Sequence, residues 1–218
     1  MKVLVFDVET TGLPIGRNPS IFDHDKWPYI VQLSYILFDP ENNKILKVAD
    51  RIINIPNDVE IDPESIRLHG ITRDIMNANG ISIKEALKEF NIYFNQSEIV
   101  CGHNISFDKR MIFVESNRNR IQQYFTYNGE KKLEYCTMKN GIDLCKIERT
   151  KVNGDKYFKF PTLSELHNNL FNQIPKGVHN SLADVIICLR CYHKMQYDHD
   201  LVENNKKMHD LFIEMNIA

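Results

Sequence analysis

Asp7 and Glu9 stand two residues apart at the end of the apolar run VLVFDVE, residues 3–9. Side chains at i and i+2 of a strand point to one face, so this spacing puts two carboxylates side by side at the mouth of a buried strand. Such a pair repels itself unless a cation lies between its members. Strands also end in acidic residues that hold nothing, and the pair alone leaves both readings open. A third acid, Asp108, closes GHNISFD at 102–108, near the start of a helix that follows a short buried strand. The helix dipole favours a carboxylate there whether or not it has a ligand. A fourth, Asp184, closes HNSLAD at 179–184 and lies beside the apolar stripe Leu182, Val185, Ile186, Leu189, Tyr192, so it faces inward rather than to water. His179 precedes that helix behind Pro175-Lys176-Gly177. Imidazole titrates near neutral pH and is suited to taking a proton from water, although a lone loop histidine is usually a surface residue.

These side chains need elements to bring them together. Val3 to Glu9, Ile30 to Phe38 and Lys44 to Ile53 read as three strands, the last two joined by the turn Asp39-Pro40-Glu41-Asn42-Asn43. Asp62-Pro63-Glu64 opens a short helix to about His69, and Thr72 and Ser82 cap two more. Ile83, Leu87, Phe90 and Phe94 recur at helical spacing in the second of these. Ile99 to Gly102 is a short buried strand, followed by a helix with Phe107, Met111 and Val114 on one face, and Tyr135 to Thr137 is a last short strand. Helices are predicted at about 137–145, 162–171, 180–196 and 200–214. Three strands first, then alternation of helix and strand, give an α/β fold with a mixed sheet covered by helices.

With 218 residues, 43% hydrophobic and 26% charged, the chain has ordinary globular composition, which excludes a wholly disordered or fibrous protein. It is expected to form a single domain over 1–218, with a motif-bearing core of about 1–196 and a C-terminal helix of about 200–214. No apolar run approaches the ~18 residues of a membrane span, and the N-terminus lacks a signal-peptide pattern. The five scattered cysteines fit a reduced, intracellular chain with no membrane partner. Cys188-x-x-Cys191 with His193 invites a zinc reading, but Cys188 falls inside a predicted helix and no second pair lies at finger spacing. The formal net charge is only -2, yet it is unevenly spread. Residues 109–160 hold 12 Lys/Arg against 6 Asp/Glu, a net of +6, and residues 1–108 hold 10 against 16, a net of -6. A basic middle segment beside an acidic cluster fits a phosphate track.

The ordered segments FDVETTGL at 6–13, HGIT at 69–72, GHNISFD at 102–108 and HNSLAD at 179–184 resemble the DEDDh exonuclease family, the DnaQ-like 3′–5′ exonucleases of the RNase H-like superfamily. The resemblance runs from Phe6 to about Tyr192. The loop from Pro14 to Pro28 is longer than in many members, and Tyr135-Cys136-Thr137 stands where an Asp-Thr pair is frequent. The resemblance implies an RNase H-like mixed sheet, three antiparallel strands then parallel strands, flanked by helices. It implies that Asp7, Glu9, Asp108 and Asp184 bind two divalent ions, Mg²⁺ or Mn²⁺, with His179 as general base. It further implies that the backbone at Thr10-Thr11 meets a terminal 3′-OH, that Leu13 wedges against the terminal base, that Phe107 and His69 line the nucleotide pocket, and that Asn104 supports the second motif. Two cations ~4 Å apart suit in-line hydrolysis of a phosphodiester, because one activates water and the other neutralises the departing oxygen. The expected activity is removal of nucleoside 5′-monophosphates from the 3′ end of DNA or RNA. The expected partner is a single-stranded nucleic acid with a free 3′ end, with any polymerase or repair protein acting in trans. Two other readings stay open: a catalytically silent member that binds nucleic acid or protein, and an unrelated α/β hydrolase or phosphatase using the same acids.

Overall fold

The computed structural model describes residues 1–217. Its strands are β1 (Val3–Thr10), β2 (Ile30–Asp39), β3 (Lys44–Asn54), β4 (Ile81–Ser82), β5 (Ile99–Gly102), β6 (Thr126–Tyr127), β7 (Glu130–Lys131), β8 (Leu133–Cys136), β9 (Glu148–Thr150) and β10 (Lys156–Phe158). The main sheet has the order β4-β3-β2-β1-β5-β8. β1, β2 and β3 pair antiparallel, whereas β5 runs parallel to β1, β8 to β5 and β4 to β3. The expected mixed sheet, antiparallel first and parallel after, is therefore present. β6 with β7 and β9 with β10 form separate small hairpins that the hydrophobic pattern does not announce.

The helices are α1 (Pro63–His69), α2 (Arg73–Asn79), α3 (Ile83–Phe94), α4 (Ile105–Arg118), α5 (Thr137–Asn140), α6 (Ile142–Cys145), α7 (Leu163–Phe171), α8 (Ser181–Tyr197), α9 (Leu201–Asn204) and α10 (Lys206–Glu214). Alternation along β1 decides what each face of the sheet meets. Leu4, Phe6 and Val8 pack with Leu87, Phe90 and Phe94 of α3 and Met111 and Val114 of α4. Val3 and Val5 pack with Val185, Ile186 and Leu189 of α8. Asp7 and Glu9 have the parity of Val3 and Val5, so they point to the α8 side. All five cysteines are free, and Cys101 of β5 with Cys188 and Cys191 of α8 fill the second cluster as small apolar groups.

Three boundaries differ from expectation. The helix expected at 137–145 is interrupted at Gly141, giving α5 and α6. The short strand expected at Tyr135 to Thr137 is Leu133–Cys136, the last of the main sheet, and Thr137 instead opens α5. The helix expected at 200–214 is broken at Asn205, whose backbone is extended at φ -136 and ψ 110. There the Asn205 side chain caps α10 by accepting from Met208 N at 2.9 Å, and it donates to Asn43 O at 2.6 Å in the β2–β3 turn. These polar contacts outweigh continuation of the helix. Among the described residues no helix is long and apolar enough to cross a membrane.

The polar stretch between β1 and β2 is fastened rather than loose. Trp27 is buried. The half-buried Arg118 at the end of α4 donates to Pro28 O (2.7 Å), His24 O (2.6 Å) and Trp27 O (2.5 Å). Its guanidinium lies 4.0 Å from the Tyr29 ring centroid, and Glu115 Oε1 accepts from it at 2.9 Å. Arg118 thus holds this loop to α4, joined by Arg110 Nη1 donating to Asn18 Oδ1 at 3.1 Å and by His24 Nε2 at 2.8 Å from Asn117 Oδ1.

Candidate active site

β1 ends in a register shift against β2 between Glu9 and Thr10, a bulge of the kind that re-aims side chains at strand ends. Asp7, Glu9 and Asp184 each offer a carboxylate oxygen within 4.8 Å of the other two. Asp108, in the first turn of α4 and almost fully buried, accepts from Val8 N at 3.3 Å, between the two acids of β1. Asp184 Oδ2 accepts from His179 N at 3.2 Å, and Asp184 Oδ1 is buried with no partner among the described residues.

A buried polar network sets the distance between β1 and α8. Asn180 caps α8 through Leu182 N and Ala183 N. Ser181 Oγ donates to Asp7 O at 2.7 Å, and Ser181 N donates to Gln32 Oε1 at 3.1 Å. Gln32 Nε2 and Ser34 Oγ both donate to Asp50 Oδ1, at 2.8 and 2.7 Å. The main chain beside Asp7 is thereby tied to the helix that carries Asp184.

Without a cation the cluster holds protons tightly. Burial first, then the charges of Asp108, Asp184 and Glu9, push the Asp7 carboxyl well above its ordinary value. Burial and the neighbouring acids raise Glu9 to about 8. Burial raises Asp108 and Asp184 to about 7, against the lowering effect of the Val8 and His179 N–H groups respectively. Among the described residues no Lys or Arg forms a salt bridge with any of the four. Converging carboxylates with no cationic partner, one with an orphaned buried oxygen, are a donor set fitted to hard divalent ions.

A cleft of about 390 Å³ opens over two of these acids, Asp7 and Asp184, and is lined by His179, His103 and Phe160 among others. His179 is exposed at its lip, with its backbone in the left-handed region at φ 71. A non-glycine residue costs energy there, and such strain gathers at functional sites. His103 is a different kind of histidine. Its Nε2 lies 3.1 Å from Pro161 O, which only accepts, so Nε2 carries the hydrogen and Nδ1 accepts from the Thr137 hydroxyl at 3.0 Å. Burial holds it down at about 4, so this ring is neutral and fully engaged.

A second cleft, of about 470 Å³, brings together Leu13, Asn104 and Phe107 with Arg17, Trp27 and Arg110. Leu13 is 82% exposed, projecting from the loop that Arg118 fastens. Asn104 lines both clefts. Thr10, Thr11 and His69 are buried behind them. Thr10 Oγ1 donates to Gly12 O at 2.8 Å. Thr11 donates its N–H to Tyr29 O and accepts from Asp62 N on its carbonyl, both at 2.9 Å. His69 Nδ1 accepts from Ile71 N at 3.0 Å, and its ring lines neither cleft. Phe160, Gln32 and Ser181 were not singled out from the sequence. Gln32 left a trace there, as a polar break in an otherwise apolar strand.

The sequence profile of the Exonuclease family (RNase_T) matches residues 4–192. No curated protein sequence matches the chain. Among solved structures, E. coli Exonuclease I in complex with a dA16 oligonucleotide superposes with a TM-score of 0.67 at 18% identity, covering 98% of this chain and 42% of that one. A zinc-bound E. coli Exonuclease I–single-stranded DNA complex gives 0.66 at 16% identity, covering 93% and 42%. A moderately thermophilic Exonuclease I from Methylocaldum szegediense gives 0.64 at 19% identity, covering 96% and 44%. The chain spans less than half the length of these structures, and at such identities the likeness is one of fold. The profile match reaches from the start of β1 into α8 and takes in all four acids, so the chain belongs to the Exonuclease family.

Proposed function

We propose that the chain is a metal-dependent 3′–5′ exonuclease of the DEDDh type, releasing nucleoside 5′-monophosphates from single-stranded nucleic acid. The observation that carries this reading is the convergence of Asp7, Glu9 and Asp184 within 4.8 Å, with Asp108 bonded to the strand between the first two and His179 at the lip of the same cleft. Asp7, Glu9, Asp108 and Asp184 are the residues to hold two Mg²⁺ or Mn²⁺ ions. When bound, such ions polarise a phosphoryl oxygen, make water more acidic and neutralise a departing alkoxide. His179 is the proton acceptor: it is exposed on the cleft and tied by its backbone to Asp184, whereas His103 has both ring nitrogens occupied. Leu13 would wedge against the terminal base, Phe107 would line the nucleotide pocket with Asn104 in support, and the Thr10-Thr11 main chain would meet the 3′-OH, whereas His69, whose ring lines neither cleft, stays outside that pocket. The oligonucleotide-bound Exonuclease I structures of the same fold support a single-stranded DNA substrate.

The test is a 5′-labelled single-stranded oligonucleotide incubated with Mg²⁺ or Mn²⁺. The expected result is a ladder of products shortened from the 3′ end, absent with EDTA and absent in Asp7→Asn. Tight binding with no shortening would overturn the enzymatic reading in favour of a silent binding module.

A further inference from the structure

The positive charge of residues 109–160 is not uniformly available. Lys109 pairs with Glu134 and Arg118 with Glu115. Lys132 is buried and donates to the carbonyls of Phe94 and Ser97. Of the remaining cations that form no salt bridge among the described residues, Arg110, Arg120 and Lys139 stand apart from one another in sequence, and three others cluster on the β9–β10 hairpin and its flanks. Residues 146–160 contain five Lys/Arg (Lys146, Arg149, Lys151, Lys156, Lys159) and two acids (Glu148, Asp155). Lys156 pairs with Glu148 at 2.8 Å and Lys159 with Glu165 at 2.6 Å. Lys146, Arg149 and Lys151 are exposed, and none of them forms a salt bridge among the described residues.

The same hairpin exposes three aromatic rings in KYFKF, residues 156–160. Tyr157, Phe158 and Phe160 are 45%, 46% and 52% exposed and belong to none of the apolar clusters. Their placement is ordered. Tyr157 stands opposite Arg149 and Phe158 opposite Glu148, so the two rings lie on opposite faces of the ribbon. Lys151 Nζ lies 6.0 Å from the Tyr157 ring centroid. Lys159 N donates to Ile147 O at 3.0 Å, which carries the ladder one step further toward Phe160. Phe160 itself lines the cleft over the acids. Rings and cations therefore lead outward from the reaction centre.

Exposed rings interleaved with unpaired cations match single-stranded nucleic acid, whose bases stack on any aromatic face while its phosphates seek cations. We propose that the β9–β10 hairpin with Phe160 is a stacking track for the part of a single strand that lies 5′ of the nucleotide in the cleft. This rests on the nuclease reading above. The track engages only strands long enough to reach from the cleft to the hairpin, and it reads no sequence.

The test is done on the whole chain with two readouts. In EDTA, where no turnover occurs, fluorescence anisotropy measures binding of a labelled single-stranded 20-mer. Tyr157→Ala/Phe158→Ala is expected to weaken binding at least about thirtyfold, since two stacked bases are lost. Tyr157→Phe/Phe158→Trp is expected to restore it. Arg149→Ala/Lys151→Ala is expected to flatten the salt dependence, by about 0.7 in log–log slope for each phosphate no longer neutralised. With Mg²⁺, the double alanine variant of the two rings is expected to raise KM for the 20-mer and leave hydrolysis of a dinucleotide unchanged. Unaltered 20-mer affinity in the aromatic variant would overturn the proposal, as it would if this surface docks a protein. The two readings fail separately. A protein that cuts nothing but loses 20-mer binding in the variant refutes the exonuclease and keeps the track. One that cuts the 20-mer with unchanged KM does the reverse.

Discussion

Two histidines lie on one cleft with opposite chemistry, and substitution should separate them. His103 spends Nε2 on Pro161 O and Nδ1 on Thr137, so His103→Ala leaves the buried Pro161 carbonyl without that donor, while the Thr137 hydroxyl falls back on Gly102 O at 3.4 Å. A stability loss of about 1–3 kcal/mol is expected, read as a lowered Tm, with the pH profile of the remaining activity unchanged. His179 is exposed, so His179→Ala should leave Tm near that of the parent and lower kcat by about 10²–10⁴. Undiminished turnover in His179→Ala would remove it as general base. The four acids were legible in the sequence because strand parity and helix position are local rules. Asp7 and Glu9 share a face by period two, and Asp184 flanks an apolar stripe. Gln32 and Ser34 showed there only as breaks in an apolar run, since their role is contact with Asp50 and, for Gln32, Ser181, which lies 149 residues away. Phe160 and Pro161 reach the cleft from an aperiodic segment, where no periodicity points inward.

At the scale of elements, the site depends on how the N-terminus of α8 seats against β1. Ser181 is fully buried and makes that joint through Asp7 O and Gln32. Ser181→Ala strands the Asp7 carbonyl, so about 1–3 kcal/mol of stability should be lost. A fall in kcat with little change in KM should accompany it, because Asp184 and His179 ride on the same helix start. An unchanged kcat in a folded variant would show that the joint serves stability alone. β1, β2, β3 and β5 were readable from β-branched and aromatic runs, α1, α2 and α3 from their caps and α8 from its apolar period, whereas the two-residue β4 carries no pattern of its own. The break between α9 and α10 was not readable either, because a local pattern carries no word of Asn43 on the far β2–β3 turn. The loop from Pro14 to Pro28 was equally opaque: Arg118, a residue that fastens it, is about 90 positions away.

For the whole molecule, the net charge of -2 averages a dense acidic cluster with a basic flank, and the cluster makes stability depend on both pH and cations. In the metal-free fold Asp108 and Asp184 hold protons to about 7 and Glu9 to about 8, whereas unfolded carboxylates release theirs near 4. The folded chain thus binds more protons than the unfolded chain across that window, which makes stability fall as pH rises through it. His103 and His167, both held near 4 by burial, act the other way, but only below the ordinary histidine value of about 6.5. In EDTA, Tm should therefore decline between about pH 6.5 and 8, above which Lys132, lowered to about 8 by burial, acts the other way. Mg²⁺ should raise Tm by more at pH 8 than at pH 6, because the ion competes with those protons. A Mg²⁺ increment independent of pH would count against a carboxylate cation site. The cysteines allow the seam between the two acid-bearing halves to be timed directly. Cys101, Cys188 and Cys191 are at most 3% exposed where β5 meets α8, and Cys188 lies one helical turn beyond Asp184. Cys188 also lines the cleft, but an alkylating reagent reaches Cys101 and Cys191 only when that helix lifts from the sheet, so the labelling rate of those two is a clock for the opening of the site, one that a bound cation should slow.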